Sequence, residues 1–536
     1  MNRLYYGDCL TIMRGEMKLA SVDLIYLDPP FNSNRAYNAI YKDETGRPLP
    51  DQIEAFCDTW ELDAERLRVI QQMPVLMREA GIDDEVAEFW RLWMNALRKT
   101  NPRLLAYLTY MAQRLLLMRG LLRPTGSIYL HCDPTASHYI KVLMDSIFWH
   151  DNFRNEIVWK RYGAHNDSGR YGRVHDTIFF YSKGNKCKWN GVWLPLDEQY
   201  VKNSYRNSDE KGRFRTAPLH AGGLSGGGYE YEFRGYNRLW RYPEDRMMEL
   251  EQNGLIRQGK GGKGVPERKV YLEDSKGRPA SDWWGDINSL AGSSKERMGY
   301  TTQKPLALLE RIITASTDKG DVVFDPFCGC ATTLEAAHKL GRKWIGIDIA
   351  IHAVKRVAKI RLEDRLRLAE GADFIIEGVP RNLEGAQDLW KRDKYHFQKW
   401  AVEEVDGFVT TKRTADGGID GRIYFAMPNE AVLQSMVLEV KGGANVTIAD
   451  LRALHSVLER EEALMAGLII MQPLGTQKMR NFNKLMAEAG DLDVMGILYP
   501  RMQILTVPDI FEGRRFDTPG AVGRGDAQKV LHLPSK

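Results

Sequence analysis

Two short apolar runs, Val322-Val323-Phe324-Asp325 and Lys343-Trp344-Ile345-Gly346-Ile347-Asp348, bracket a helix-length segment from Thr332 to Leu340 that stops at Gly341. A strand, a helix and a second strand at this spacing fix a parallel pair joined by a right-handed crossover, with the helix packed on the sheet. Glycine just past the last helical residue supplies the left-handed turn that ends it. Val22 to Leu27, Gly126 to His131 and Thr177 to Tyr181 read as further strands, and Pro305 to Ser316 as an amphipathic helix with proline at its start. The class is therefore α/β, a mostly parallel sheet flanked by helices. Residues 51 to 122 read as helical, notably Phe89 to Met94 and Leu104 to Leu122. Their apolar stripes serve either a core or a self-associating face, which would make a homodimer.

At 536 residues the chain has room for two or three domains. Hydrophobic residues make up 43% and charged residues 27%, as in soluble globular enzymes. No apolar run reaches membrane-spanning length and Met1 to Leu10 has no signal-peptide pattern, so a cytoplasmic protein without a membrane partner is expected. The 6 cysteines are scattered, which fits reduced thiols. Cys328 and Cys330 lie close together but have no second Cys/His pair at zinc spacing. A net charge of +4 neither demands nor excludes nucleic acid. Basic residues interleaved with aromatics and glycines from Trp159 to Lys188 and from Arg234 to Lys269 suit phosphate contact and base stacking, and equally a solvated loop face.

Two segments carry chemistry. In Asp325-Pro326-Phe327-Cys328-Gly329-Cys330-Ala331-Thr332, small residues at a strand-to-helix turn let a ligand approach the backbone, and the helix start offers free N–H groups. Asp348, closing the next strand, can accept from two ribose hydroxyls; a plain βα turn with a surface aspartate gives the same pattern. Asp28-Pro29-Pro30-Phe31 ends a strand. There the Asp28 carboxylate and the Pro29 carbonyl, stiffened by two prolines, form an acceptor pair for the two hydrogens of an amine. Phe31 would supply a flat face for an extruded base.

Taken in order, these segments resemble the DNA amino-methyltransferases, specifically the permuted class in which the catalytic tetrad precedes the cofactor motif. Tyr6-Gly7-Asp8-Cys9-Leu10, Asp282-Trp283-Trp284-Gly285-Asp286-Ile287 and Thr302-Gln303-Lys304-Pro305 extend the match, which covers roughly residues 4 to 365. The resemblance implies a Rossmann-like S-adenosylmethionine-dependent methyltransferase domain over 1–365, with a target-recognition region at about 161–292 reading double-stranded DNA. It implies Asp28, Pro29, Pro30 and Phe31 as catalytic residues. Cofactor contacts would come from Asp8, Gln303, Lys304, Pro305, Phe324, Asp325, Pro326, Phe327, Gly329, Thr332 and Asp348. D-P-P-F resembles adenine-N6 enzymes more than cytosine-N4 enzymes, which more often carry Ser in place of the Asp. The family's glycine at the end of the cofactor loop is here Ala331, whose methyl group would weaken cofactor binding modestly if the position is left-handed. Arg234, Arg238 and Arg241 are candidates for guanine or phosphate contacts.

After a linker at 366–392, residues 393–510 form a second region, ending in a flexible tail at 511–536. Asp416-Gly417-Gly418-Ile419-Asp420-Gly421 precedes Val437-Leu438-Glu439-Val440-Lys441, and alternation puts Glu439 and Lys441 on one strand face. This resembles the Mrr-like branch of the PD-(D/E)XK nucleases, an α/β restriction-endonuclease-like domain. The resemblance implies that Asp420 and Glu439 hold Mg²⁺ and that Lys441 acts on the attacking water. Its helix glutamate is best matched by Gln398, with Glu403 and Glu404 one to two turns later. No phosphate-binding G-x-x-x-x-G-K-[ST] loop is present, so nucleotide-driven translocation is not expected. Three readings follow: a fused modification–restriction enzyme, a solitary methyltransferase whose C-terminal region only grips DNA, or a methyltransferase of RNA or small molecules.

Overall fold

A computed structural model describes residues 1–30, 60, 62–163, 169, 171–222, 227–259, 264–291, 294–298, 303–410, 419–428 and 433–520. Phe31 and Thr302 lie outside the described residues. In chain order the strands used below are β1 (Asn2–Tyr6), β2 (Val22–Leu27), β3 (Leu122–Cys132), β4 (Phe153–Lys160), β5 (His175–Ser182), β6 (Trp283–Trp284), β7 (Val322–Asp325), β8 (Lys343–Asp348) and β9 (Phe374–Glu377). They form one sheet in the order β6-β4-β5-β3-β2-β7-β8-β1-β9. From β3 through β9 neighbours run parallel, while β5 runs antiparallel to β3 and β4.

Every residue of β2 is buried, as a central parallel strand covered on both faces requires. Helices α1 (Cys9–Glu16), α2 (Ala64–Glu79), α3 (Asp84–Thr100), α4 (Pro102–Leu121) and α5 (Ser137–Phe148) pack with one face of the sheet. Most of α4 is buried, so its apolar residues are core, while in α3 Trp90 and Met94 are buried and Phe89 and Leu92 are exposed. Helices α6 (Leu306–Ser316) and α7 (Thr332–Lys339) pack on the other face. Gly346 lets α7 close on β8, because a Cβ there would lie 2.7 Å from Leu334 Cδ1.

Residues 191–281 form a separate compact unit, narrower than the expected 161–292, since β5 and β6 belong to the large sheet. Its strands Asn207–Asp209, Gly212–Pro218, Ile256–Arg257 and Glu267–Tyr271 make one small sheet, and Tyr229–Phe233 pairs with Tyr236–Trp240. Leu219, Phe233, Trp240, Met247 and Leu250 form its core. Within this unit Arg234 pairs with Glu251 at 2.7 Å, Arg241 donates to the His220 carbonyl at 3.0 Å, and Arg238 lies over Tyr236.

The stretch 366–392 is not a linker. It contributes edge strand β9 and helix α8 (Leu383–Arg392), and Phe374 is fully buried beside Trp344. Helix α9 (Lys394–Glu404) follows, then β10 (Phe408–Val409), β11 (Gly421–Phe425), β12 (Gln434–Lys441), α10 (Ile448–Arg460), β13 (Met465–Ile470) and β14 (Met502–Thr506). These strands form a second, mixed sheet in the order β10-β11-β12-β13-β14. The expected tail is ordered at its start, for Phe516 is buried against Gly467 and Asp517 bonds Gln503. Among the described residues no helix is long and apolar enough to cross a membrane.

Phe374→Ala should lower unfolding free energy by about 3 kcal/mol, as expected when a buried aromatic is deleted. Chemical denaturation checks this; a loss under about 0.5 kcal/mol, the range of surface changes, would mean β9 is no part of the folded sheet.

Candidate active site

The site is built where β2 and β7 lie side by side, with Leu24 opposite Val323 and Ile25 opposite Phe324. From β7 the chain proceeds to β8 on one side of the sheet, while β2 leads to β3 on the other. This is the topological switch point, where the loops diverge and leave a crevice beyond the strand ends. Asp28 follows β2 directly, and Asp325 ends β7.

Asp28 is mostly buried, with a side chain 15% exposed. Its Oδ2 accepts from Lys304 Nζ, whose side chain is 8% exposed. Its Oδ1 is buried and has no hydrogen-bond partner among the described residues. Pro29 is buried and Pro30 half-buried. The carboxylate therefore has one oxygen anchored and one left as an acceptor. Lys304, expected among the cofactor contacts, lies on the Asp28 carboxylate. Gln303 holds its own loop: its amide donates to the Glu296 carbonyl and its oxygen accepts from Met298 N, both at 2.8 Å. Pro305 is buried at the start of α6.

Beside Asp28 lies a buried polar network that sequence reasoning missed. Tyr26 Oη and His131 Nδ1 are 3.0 Å apart, and His131 Nε2 lies 2.9 Å from Asp176 Oδ2. Arg161 donates to both Asp176 oxygens at 3.2 and 3.0 Å. The Asp176 carboxyl is held down at about 2: burial opposes this, and the His131 hydrogen bond and the His131, Arg161 and Lys304 charges overcome it. A histidine at a strand's C-terminal end was the available signal, but only the fold brings Asp176 to it.

The loop after β7 is pinned from both sides. Asp325 accepts from Phe327 N at 3.0 Å and from Thr333 Oγ1 at 2.6 Å. Asp348 Oδ2 accepts from Gly329 N at 2.8 Å, and Oδ1 from Ala350 N at 2.9 Å. Each carboxylate oxygen has a second lone pair, so Asp348 can still receive ligand hydroxyls. Burial raises Asp325 to about 7 and Asp348 to about 6. Ala331 is left-handed, with φ 61° and ψ 29°, and Gly329 also has positive φ, 49°. Pro326 is buried, Phe327 is half-buried with its ring near Tyr110, and Thr332 opens α7. Phe324 points into the core on the α4 face.

Asp8 sits at the end of β1, next to β8, where the Gly7 amide donates to the Asp348 carbonyl at 2.9 Å. It caps α1, accepting from Leu10 N and Thr11 N, and pairs with Arg114 at 2.5 Å. Arg114 is buried on α4, stacked on Tyr110 and bonded to Cys9 Sγ. An arginine inside the apolar run Leu104 to Leu122 marked this position in the sequence.

In the C-terminal sheet, Asp420 immediately precedes β11, with its Oδ2 accepting from Val440 N at 2.7 Å. Glu439 is buried and pairs with Lys441 at 2.7 Å; Lys441 also faces Asp450 at 3.7 Å. The three predicted residues thus come together on neighbouring strands. Glu403 and Glu404 turn elsewhere: Glu403 accepts from Ile351 N, and Glu404 pairs with Lys355. Among the described residues no group of three or more His, Cys, Asp or Glu could hold a metal.

A family profile described as DNA methylase, covering N6 and N4 enzymes, matches residues 22–359. The type II methyltransferase M.EcaI of Enterobacter cloacae is 36% identical over 259 residues, 47% of this chain and 57% of its own. The StyLTI Mod subunit, a type III restriction-modification enzyme of Salmonella typhimurium, is 32% identical over 361 residues, 64% of this chain and 50% of its own. The type II methyltransferase M.BamHI of Bacillus amyloliquefaciens is 35% identical over 401 residues, 74% of this chain and 66% of its own. The chain spans about half to two thirds of the length of these curated relatives. With the profile covering well over half of its length, the chain belongs to the N6/N4 DNA methylase family.

Proposed function

We propose that the protein transfers a methyl group from S-adenosylmethionine to the exocyclic N6 of adenine in duplex DNA. The buried Asp28 Oδ1, without a partner among the described residues at the tip of β2 beside the loop after β7, carries this reading. When bound, S-adenosylmethionine supplies a methyl group already activated by its sulfonium. The protein's task is to orient the amine. Asp28 Oδ1 and the Pro29 carbonyl accept its two hydrogens and leave the lone pair directed at the methyl carbon. Lys304 donates to the other Asp28 oxygen and fixes the orientation of the carboxylate. Asp348 and the amides of the loop suit the ribose and the amino-acid end of the donor. A base must leave the duplex to reach this crevice, and Phe31 would stack against it. Residues 191–281 are the proposed reader of DNA sequence. The order of β2 before β7 in the chain fits the permuted class.

We further propose that residues 393–510 are a Mg²⁺-dependent nuclease, which would make the chain a fused modification–restriction enzyme. The convergence of Asp420, Glu439 and Lys441 favours it. Two carboxylates suit Mg²⁺, which keeps several waters and binds through few protein ligands. Lys441 would orient a water at a phosphodiester.

Asp28→Ala should cut methyl transfer to duplex DNA by roughly 100-fold or more, in the range seen when one transition-state hydrogen-bond partner is removed. Binding of S-adenosylhomocysteine should stay nearly unchanged. Labelled transfer followed by nucleoside analysis reads both the rate and the product, and N4-methylcytosine would overturn the adenine assignment.

Ligand hydroxyls favour ionised Asp348, so its raised value of about 6 should fall on binding and a proton should be released below that pH. S-adenosylhomocysteine affinity should accordingly rise with pH up to about 6 and level off above it. Calorimetry across this range should find the rise absent in Asp348→Asn.

With Mg²⁺ and unmethylated plasmid, Lys441→Ala should abolish cleavage while methyl transfer persists. If the unaltered chain never cuts under any divalent ion tried, with or without S-adenosylmethionine, the region only grips DNA.

A further inference from the structure

Helix α9 belongs by sequence to the C-terminal region, beyond the residues that the methylase profile matches. One face of it packs into the second sheet, where Val402 fills the space beside Gly407 and Gly421. Another face rests on the end of the methyltransferase sheet. There the His396 ring meets Tyr6 edge to face, with centroids 4.3 Å apart and planes at 89°. Both residues are 3% exposed. The Tyr6 hydroxyl and His396 Nε2 are both buried without a hydrogen-bond partner among the described residues. Buried polar atoms are almost always paired, so two orphans on touching rings call for a missing partner.

Their position says what that partner is. Tyr6 ends β1 and is the register partner of Asp348 on β8, which places both side chains at the same sheet end. Asp8 follows two residues later and lies close enough to act electrostatically on His396. Glu403, on the same helix, accepts from Ile351 N at 3.2 Å and so holds the turn just after Asp348. Asp348 and Tyr6 thus share one end of two neighbouring strands, with His396 packed against Tyr6.

We propose that α9 completes the pocket for the adenosyl end of the methyl donor, with Tyr6 Oη and His396 Nε2 as its hydrogen-bonding groups. This rests on the S-adenosylmethionine reading above. The phenol donates and the imidazole donates or accepts according to tautomer, which suits the edge of a purine and its ribose hydroxyls. The methyltransferase site is then incomplete without a helix from the C-terminal region. Cofactor occupancy is felt directly by that region.

The test uses the full chain with Tyr6→Phe and His396→Phe, which keep the ring packing and delete only the polar atoms. Calorimetric binding of S-adenosylhomocysteine should weaken about five- to tenfold in each, as for loss of one hydrogen bond. The same factor should appear with 5′-methylthioadenosine, which lacks the amino-acid end. The ligand-free melting temperature should hold or rise, because an unpaired buried polar atom has been removed. His396→Gln, which keeps a donor and an acceptor, should recover affinity. Unchanged affinity in both phenylalanine variants, with the unaltered chain binding normally, overturns the inference and leaves the methyltransferase reading intact. Failure of the unaltered chain to bind S-adenosylhomocysteine overturns both.

Discussion

The pairing of β2 with β7 is the constraint on which the rest depends. It joins segments some three hundred residues apart in the chain, and only through it do Asp28 and Asp325 meet at one crevice. The alignment has little tolerance. Slipping a strand by one residue exchanges its faces, which would send Leu24 and Tyr26 into the environment of Ile25. Those residues belong to opposite cores, one shared with α6 and α7, the other with α1, α4 and α5. Hydrophobic burial on both sides of the sheet therefore holds the register of β2 against β7. Asp23 adds a polar lock: it is buried in β2, accepts from Val322 N at 2.9 Å across the same pair, and is neutralised by Arg123.

Much of this was legible before any coordinates. The strand–turn–helix–strand run from Val322 to Asp348 is local, so period and turn chemistry sufficed to read it. Asp28 and Asp348 were marked by standing where a buried strand stops, since a charged residue there is either solvent-facing or held for a ligand. What the sequence did not disclose was partnership. Lys304 read as a cofactor contact because its motif neighbours the cofactor loop; the fold folds it back onto Asp28. Asp176 and His131 are 45 residues apart and meet only because β3 and β5 pair antiparallel. The 366–392 stretch looked like a linker because it is rich in charge and its strand is four residues long. An edge strand needs only one paired side and so carries a weak apolar signal.

Several features of the site work against stability. A left-handed alanine costs about 1–2 kcal/mol relative to the right-handed form, and Ala331 is buried where it adopts that conformation. Asp325 and Asp348 are held as carboxyls whose ionisation burial opposes, so that raising the pH from about 4 through about 7 disfavours the folded state relative to the unfolded chain. Asp28 keeps one oxygen without a partner among the described residues. Stresses of this kind persist only where the surrounding structure over-determines them. Here that structure is the doubly covered sheet.

Helix α9 shows why the boundary between the two regions is not a line in the sequence. Phe397, Trp400, Ala401 and Val402 sit in a core continuous with β1, α7 and β9. Glu403 and Glu404 satisfy Ile351 N and Lys355 in the methyltransferase part. Of the helix positions matched to the nuclease-family glutamate, Glu403 and Glu404 are engaged in the opposite direction. Helix α9 is thus anchored in one continuous core that both regions share.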